Sequence, residues 1–361
     1  MKIVHIIARF NVGGTATWIG NLSQSLNSAG HESLIFAGYV QEGEEEDSRF
    51  LECGGIRVSN LGRKVSLFSD FKAFFEIRKK LLEISPDVVN THTAKAGVVG
   101  RLATLSLGSN RPAIVHTIHG HLFRGYFNRL GVYIVNLIES NLSRITDVML
   151  FAGEKVKEDC LNRGIVFQKS SKVVMPGVKV QPSESISSEQ ITIGWLARFA
   201  QVKRPDRVIE LAHKYPDISF LLGGDGPLRS TIEHSAPSNC NFVGWTKPEE
   251  FWPKCTIALL TSENEALPIS LIEAQMYGLP CVATPAGSTI EVVIDEENGF
   301  MAKNFEVESL YEGLDQLINN QSLRKFLGVR GKERAIDLFS ISRQLRDHLE
   351  AYKLAINIRK E

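Results

Sequence analysis

Short apolar runs rich in β-branched residues recur along the chain, and longer stretches with apolar positions at helical spacing lie between them. In the first half, residues 2–8, 32–37, 87–92, 113–119 and 147–151 predict strands, and 18–26, 68–82 and 97–107 predict helices. In the second half the predicted strands are 191–196, 218–223, 240–243, 256–261 and 280–283, followed by closing helices at 310–317, 323–338 and 341–358. Alternation of this kind marks parallel α/β layers, and here it occurs twice. Residues 178–190 separate the two series with a polar, Ser- and Glu-rich composition suited to a linker. This predicts one domain over 1–180, a second over 181–340 and a terminal helix over 341–361.

Composition changes this picture little. The chain has 361 residues, 43% hydrophobic and 23% charged, which excludes a disordered, collagenous or coiled-coil chain and leaves a globular enzyme or binding protein. No apolar run reaches the ~18 residues of a membrane span. Residues 1–10 read as a strand rather than a signal peptide, so the expected location is cytoplasmic. Cys53, Cys160, Cys240, Cys255 and Cys281 are far apart without CxxC spacing and read as packed thiols. Charge adds more. Net charge is zero, yet residues 1–180 carry 22 Lys and Arg against 16 Asp and Glu, and the remainder carry 19 against 25. A basic first half predicts an anionic partner on that side. The acidic run 42–47 reads as a solvated loop.

Three stretches carry candidate chemistry. After the apolar run 257–260 comes Ser262-Glu263-Asn264-Glu265-Ala266-Leu267-Pro268-Ile269-Ser270, where Pro268 suits a first helical turn and Gly278 and Pro280 end the helix. A helix amino terminus at a sheet edge attracts an anion, with phosphate the usual occupant. Glu265 stands before that terminus, and Glu273 stands inside the helix among Leu271, Ile272, Ala274 and Met276. A carboxylate there can accept two vicinal sugar hydroxyls; alternatively Glu265 caps the helix and Glu273 pairs with an arginine. The second stretch, 193–205, places Arg198 and Lys203 on a loop at a strand end, positioned either to grip a diphosphate or simply to be solvated. The third, Gly223-Gly224-Asp225-Gly226-Pro227, lets backbone approach a ligand or makes an ordinary turn. No DxD, Walker-type phosphate loop, HExxH or GxSxG occurs.

Arg198-x4-Lys203, then Gly224-Asp225-Gly226-Pro227-Leu228, then Glu265-x7-Glu273-Ala274 with Gly278-x-Pro280 together resemble the carboxy-terminal half of glycosyltransferase family 4, the retaining transferases of GT-B fold. The resemblance runs on through Gly287, Glu291 and Asn298-Gly299-Phe300. In the first half it takes in Gly13-Gly14, the tract Thr91-His92-Thr93-Ala94-Lys95-Ala96-Gly97 and Thr117-Ile118-His119-Gly120. The tract around Lys95 and His119 is similar to that of bacterial capsule, exopolysaccharide and lipopolysaccharide transferases. Departures are Val202 where the family has an acid, Ala266-Leu267-Pro268 for Gly-Phe-Gly, and Pro176-Gly177-Val178 for Asn-Gly-Val. Pro268 has no N–H, which removes one hydrogen-bond donor and bears on which sugar is taken.

The resemblance implies two Rossmann-like domains facing across a cleft, with the carboxy-terminal helix crossing back to the first. It implies that Arg198 and Lys203 hold the diphosphate, Glu273 the ribose hydroxyls, Glu265 a hydroxyl of the transferred sugar, His119 that sugar from the other side, and Gly14 the leaving phosphate. Gly224, Leu267 and Ile269 complete the nucleotide-sugar set. The reaction implied is hexosyl transfer, with retention, from a nucleotide diphosphate sugar, UDP-linked, to an acceptor hydroxyl on a lipid-linked or oligosaccharide carrier, with no cofactor, no metal and no nucleic acid. Rival readings are a nucleotide-sugar 2-epimerase of the same architecture, which needs no acceptor, and a non-catalytic sugar-nucleotide-binding subunit. His116, His119 and His121 suggest a metal site, but strand alternation sets His116 on the opposite face. Between residues 57 and 172 there are 18 Lys and Arg against 9 Asp and Glu, with apolar residues interleaved over 122–134, which predicts peripheral attachment to an anionic membrane at the inner face.

Overall fold

In the computed structural model, which describes residues 1–62, 66–120, 129–165, 169–180 and 190–361, the β-branched runs form two wholly parallel sheets. The first series gives β1 (Lys2–Arg9), α1 (Gly14–Ser28), β2 (Glu32–Gly38), α2 (Arg49–Glu52), β3 (Gly55–Arg57), α3 (Leu67–Ile84), β4 (Val88–His92), α4 (Ala94–Leu105), β5 (Ala113–Ile118), α5 (Arg129–Ser143), β6 (Val148–Phe151), α6 (Glu154–Asn162) and β7 (Ser171–Val173). Its strands lie in the order β3-β2-β1-β4-β5-β6-β7. The second series gives β8 (Thr192–Leu196), α7 (Pro205–Lys214), β9 (Ser219–Gly223), α8 (Arg229–Ser235), β10 (Cys240–Gly244), α9 (Pro248–Phe251), β11 (Ile257–Leu260), α10 (Ile269–Met276), β12 (Cys281–Ala283), β13 (Gly299–Met301), α11 (Glu308–Asn319) and α12 (Gln321–Phe339). These strands lie in the order β10-β9-β8-β11-β12-β13.

Residues Met1–Gly177 with Ile341–Glu361 make one unit, and Val178–Ser340 the other. The last helix, α13 (Ile341–Lys360), therefore belongs with the first sheet, where it packs against α1, β4, β5 and β6. The interior strands of each sheet are buried on both faces, as those of parallel sheets must be. Ile3, Val4, Ile6, Val88, Val89, Ile114 and Val115 fill the first core; Ile193, Trp195, Phe220, Leu222, Ile257 and Leu259 fill the second.

In both sheets the chain reverses direction of winding at one point, between β1 and β4 in the first and between β8 and β11 in the second. At such a point the loops from two neighbouring strands part, and ligands of open α/β sheets bind in the crevice between them.

The run 42–47 departs from the solvated loop expected of it. Glu44 pairs with Arg9 at 2.6 Å, Glu46 pairs with Arg57, and the buried Asp47 pairs with Arg49 at 2.5 Å. Arg9, Arg57 and the adjacent Arg49 neutralise three of the five acidic residues of the run, so the segment is held on the β1 side of the sheet.

Candidate active site

In the second unit the loop after β8 and the loop after β11 meet at the winding reversal. Thr261, fully buried, accepts a hydrogen bond from the indole N–H of Trp195 at 3.0 Å and lies 2.9 Å from the Lys203 carbonyl. The Glu263 N–H donates to the Val202 carbonyl at 2.9 Å. These bonds fix both loops, and on them Lys203 Nζ donates to Glu265 Oε1 at 2.5 Å, with Ser262 Oγ 2.6 Å from the same oxygen. Glu265 is 8% exposed, while Arg198, on the same loop as Lys203, is exposed and holds no ion pair among the described residues. The structure thus joins two residues, 62 apart in sequence, that the motifs assign separately to diphosphate and sugar. An ammonium has three protons to donate, so Lys203 can hold Glu265 and still meet an anion.

Helix α10 begins at Ile269, with Pro268 as its N-cap rather than inside the first turn. The N–H groups of Ile269 and Ser270 have no hydrogen-bond partner among the described residues, which leaves two donors at the positive end of the dipole. Leu267 is buried beneath this terminus, and Glu273 is half-buried one turn into the helix. Gly287, at φ +54°, backs Glu265: a Cβ there would fall 1.9 Å from the Glu265 carbonyl oxygen. Gly224 has the same kind of duty. At φ +116° it brings its backbone against the Ala197 carbonyl, where a Cβ would come within 2.0 Å. The close approach this glycine permits is to the chain's own β8 loop, which it ties beside Arg198.

The first unit presents a different site at its own reversal point. His5 on β1, His92 at the end of β4 and His119 just past β5 form a chain, with His5 Nδ1 3.0 Å from His92 Nε2 and His92 Nδ1 2.8 Å from His119 Nε2. Trp18 from α1 stands edge-on to His119, ring centres 4.8 Å apart, and to His348 of α13 at 6.3 Å. Burial, with His348 nearby, pushes His119 and His5 down to about 3, burial pushes His348 down to about 4, and burial followed by neighbouring histidines holds His92 well below the ordinary range, so all four are neutral near pH 7. Gly14 is the exposed first residue of α1, four residues before Trp18.

Of the three histidines that suggested a metal site, His116 turns to the other face, where it bonds Thr91 at 2.8 Å and faces the buried Arg101–Glu139 pair. His121 lies outside the described residues. Lys95 ties α4 to α3 through Asp70 at 2.5 Å. Sequence reasoning named His119 but missed His5, His92, His348, Trp18, Trp195 and Thr261. His5 sits inside an otherwise apolar strand, and that polar interruption was the one available signal.

Two Rossmann-like units, each with polar side chains gathered at its winding reversal, define the GT-B class of glycosyltransferases. Anabaena HepE, solved with UDP and glucose, superposes with a TM-score of 0.81 over 98% of this chain and 99% of its own at 17% identity. Residues 12–181 match Glycosyltransferase Family 4 and residues 179–334 match Glycosyl transferases group 1. The chain belongs to this glycosyltransferase family. Among its relatives is the Escherichia coli UDP-Gal:alpha-D-GlcNAc-diphosphoundecaprenol alpha-1,3-galactosyltransferase, 24% identical over 74% of this chain and 75% of that protein. Another is the Escherichia coli O-antigen biosynthesis glycosyltransferase WbnH, 25% identical over 87% of this chain and 89% of that protein.

Proposed function

We propose that the protein moves a hexosyl unit, with retained configuration and without a divalent metal, from a UDP-linked sugar to a hydroxyl of a lipid-linked or oligosaccharide acceptor in bacterial surface-polysaccharide synthesis. The observation that carries the reading is the Lys203–Glu265 pair at the β8/β11 reversal, with Arg198 on the same loop as Lys203 and the α10 terminus following Glu265 in the chain. Arg198 and Lys203 take the diphosphate, Glu273 the ribose hydroxyls and Glu265 a hydroxyl of the transferred sugar. His119 takes another hydroxyl of that sugar, and the α1 terminus at Gly14 meets the leaving phosphate. The bond from the anomeric carbon to the phosphate oxygen breaks as the bond to the acceptor oxygen forms on the same face, and the acceptor proton passes to the leaving diphosphate. The protein's part is to stabilise charge growing on that diphosphate, which is commonly the largest single contribution to such a rate.

Two cations at the phosphates, Arg198 and Lys203, supply the charge a metal would otherwise bring. Activity should therefore survive EDTA. A loss that Mg²⁺ or Mn²⁺ restores would assign the charge to an ion instead. The direct test is a thermal-shift screen of nucleotide sugars followed by transfer and hydrolysis assays, with the anomeric configuration of the product read by NMR. Turnover of the nucleotide sugar to an epimer without acceptor would defeat the proposal.

Attachment to an anionic bilayer is part of the same reading. Helix α3 exposes Leu67, Phe68, Phe71 and Phe75, α5 exposes Tyr133, Ile134, Leu137 and Ile138, and α4 packs against both helices. Lys72, Arg78 and Lys79 lie on α3 beside its apolar residues, in the order a bilayer surface favours. The stretch 122–128, which first suggested this attachment, lies outside the described residues. No helix among the described residues is long and apolar enough to cross a membrane.

A further inference from the structure

The loops after β8 and β11 are joined by a second ion pair besides Lys203–Glu265. Arg204, the next residue after Lys203, donates through Nη1 to Glu263 Oε1 at 2.5 Å. Glu265 is buried, whereas Glu263 is exposed, and an exposed ion pair by itself contributes little to stability. The backbone of Arg204 gives this one a different significance. Its φ of 49° and ψ of 58° are left-handed, where the Cβ of any residue other than glycine crowds the following carbonyl. Pro205 follows, and a proline favours extended backbone in the residue before it. Local preference therefore opposes this turn twice, and a glycine or asparagine would take it more readily.

The side chain of Arg204 offsets that preference. Its Nε lies 3.0 Å from each Asp206 carboxylate oxygen and its Nη2 2.7 Å from Asp206 Oδ2, while Nη1 reaches across to Glu263. Glu263 Oε1 is shared with Arg207, whose Nη2 is 3.5 Å away. Arg207 is itself buried and donates through Nη1 to the Thr261 carbonyl at 2.8 Å. Two arginines and two acids thus make a network of no net charge, anchored on a buried guanidinium at the base of the β11 loop. The carbonyls of Lys203 and Arg204, which flank the turn, both lie within reach of the Thr261 hydroxyl, at 2.9 and 3.0 Å. The turn held in this way is the one that carries Lys203 to Glu265.

We propose that Arg204 and Glu263 are positioning residues, an outer ion pair that clasps the two loops, holds the left-handed turn and so sets the Lys203 ammonium at Glu265 to meet the diphosphate. The inference rests on the role given to Lys203 above. Both residues act through Lys203 rather than on the substrate. In Arg204→Gly the turn keeps a residue that accepts its conformation but loses the clasp. In Glu263→Gln the strained arginine stays and the carboxylate that draws it across the loops is gone.

The experiment titrates the full chain with UDP, which carries the diphosphate, by isothermal titration calorimetry. Lys203→Ala is expected to weaken UDP binding about tenfold or more. Arg204→Gly and Glu263→Gln are each expected to weaken it about fivefold, and no further when combined, because both remove one clasp. In a Lys203→Ala background neither should weaken it at all, a result that general loosening of the unit would not give. Arg204→Gly should also melt higher than Arg204→Ala, since glycine accepts the left-handed turn, while binding UDP no more tightly. Wild-type affinity in both clasp variants, or equal losses with and without Lys203, overturns the proposal. Arg204→Asn, which also accepts the turn, provides a second variant should Arg204→Gly fail to fold. If Lys203→Ala weakens UDP binding and the clasp variants do not, the clasp fails and the role of Lys203 stands. If Lys203→Ala binds UDP as the wild type does, the role of Lys203 fails and the clasp with it.

Discussion

At the β1/β4 edge of the first unit four neutral imidazoles gather, two of them edge-on to one indole, whereas at the β8/β11 edge of the second a lysine, an arginine and two glutamates share a loop pair with a helix terminus. The sheets are wound alike and the sites sit at equivalent points. The difference lies in what each edge can afford to bury. A neutral ring enters an apolar interior at modest cost if its nitrogens are bonded, while a charge needs a partner or water. Under the proposed function the first edge would read uncharged hydroxyls and the second would hold a diphosphate.

The largest effect should come from acid, and it should be confined to the first unit. His5, His92, His116, His119 and His348 all have their affinity for a proton lowered by burial. Their folded values lie below the ~6.5 of an unfolded chain, so the unfolded state takes up protons first as pH falls. The stability is complete above that value and is lost progressively as pH drops toward 3 to 4. Each such histidine contributes a slope of roughly 1.4 kcal/mol per pH unit. The two histidines of the second unit, His213 and His234, are exposed. Hydrogen exchange at pH 7.5 and pH 5.5 should show β1, β4 and β5 opening in acid while β8 and β11 do not; equal loss in both units would break the comparison.

Lys203→Ala comes next. It removes a charge from the transition state and should lower turnover ~10²-fold or more with the melting temperature little changed. Wild-type rates in a folded variant would remove Lys203 from the diphosphate site. Glu265→Gln sharpens the point, since it keeps a hydrogen-bond acceptor while releasing Lys203 from its ion pair.

Much of this arrangement is legible in the sequence, and the part that is not has a physical reason. The interior strands announce themselves because burial on both faces demands unbroken apolar runs, as in Ile257-Ala258-Leu259-Leu260. Of the four sheet-edge strands, β3, β7 and β13 have three residues each, too few for a pattern, while the five-residue β10 is foreseen. Arg198, Lys203 and Glu265 each stand on a loop next to a strand end, which marks them as candidates, while spacing alone leaves Arg198 and Lys203 open to being solvated and Glu265 to being a helix cap. That Lys203 pairs with Glu265 is invisible, because it depends on which strands become neighbours. The same holds for the histidines: His348 is 256 residues from His92, and nothing local marks either as a member of one cluster.

A smaller effect is expected at Gly287. With φ at +54° and the Glu265 carbonyl 1.9 Å from where a Cβ would sit, Gly287→Ala must shift the backbone that carries Glu265. The strain should cost ~1–3 kcal/mol of stability in the second unit, with a fall in kcat that an alanine at the open Gly30 should not produce. A loss of stability without any kinetic change would detach Glu265 from the reaction.

The smallest effect concerns where the first unit rests. Its exposed aromatic residues on α3, with Lys72 4.2 Å over the Phe68 ring and Arg78 and Lys79 further along, predict salt-sensitive binding to anionic vesicles at ~1 kcal/mol per engaged basic residue. The second unit, with more acidic than basic residues, should contribute nothing. Flotation with vesicles containing anionic lipid should carry the protein at low salt and release it at high salt, because screening shortens the reach of each charge to about 10 Å at 0.1 M. Phe68→Ser with Phe71→Ser should weaken binding at both salt concentrations, since apolar insertion is not screened. Lys72→Gln with Lys79→Gln should weaken it only at low salt. If neither pair alters flotation, α3 is not the contact, and a protein that stays unbound at low salt would instead meet its acceptor in solution.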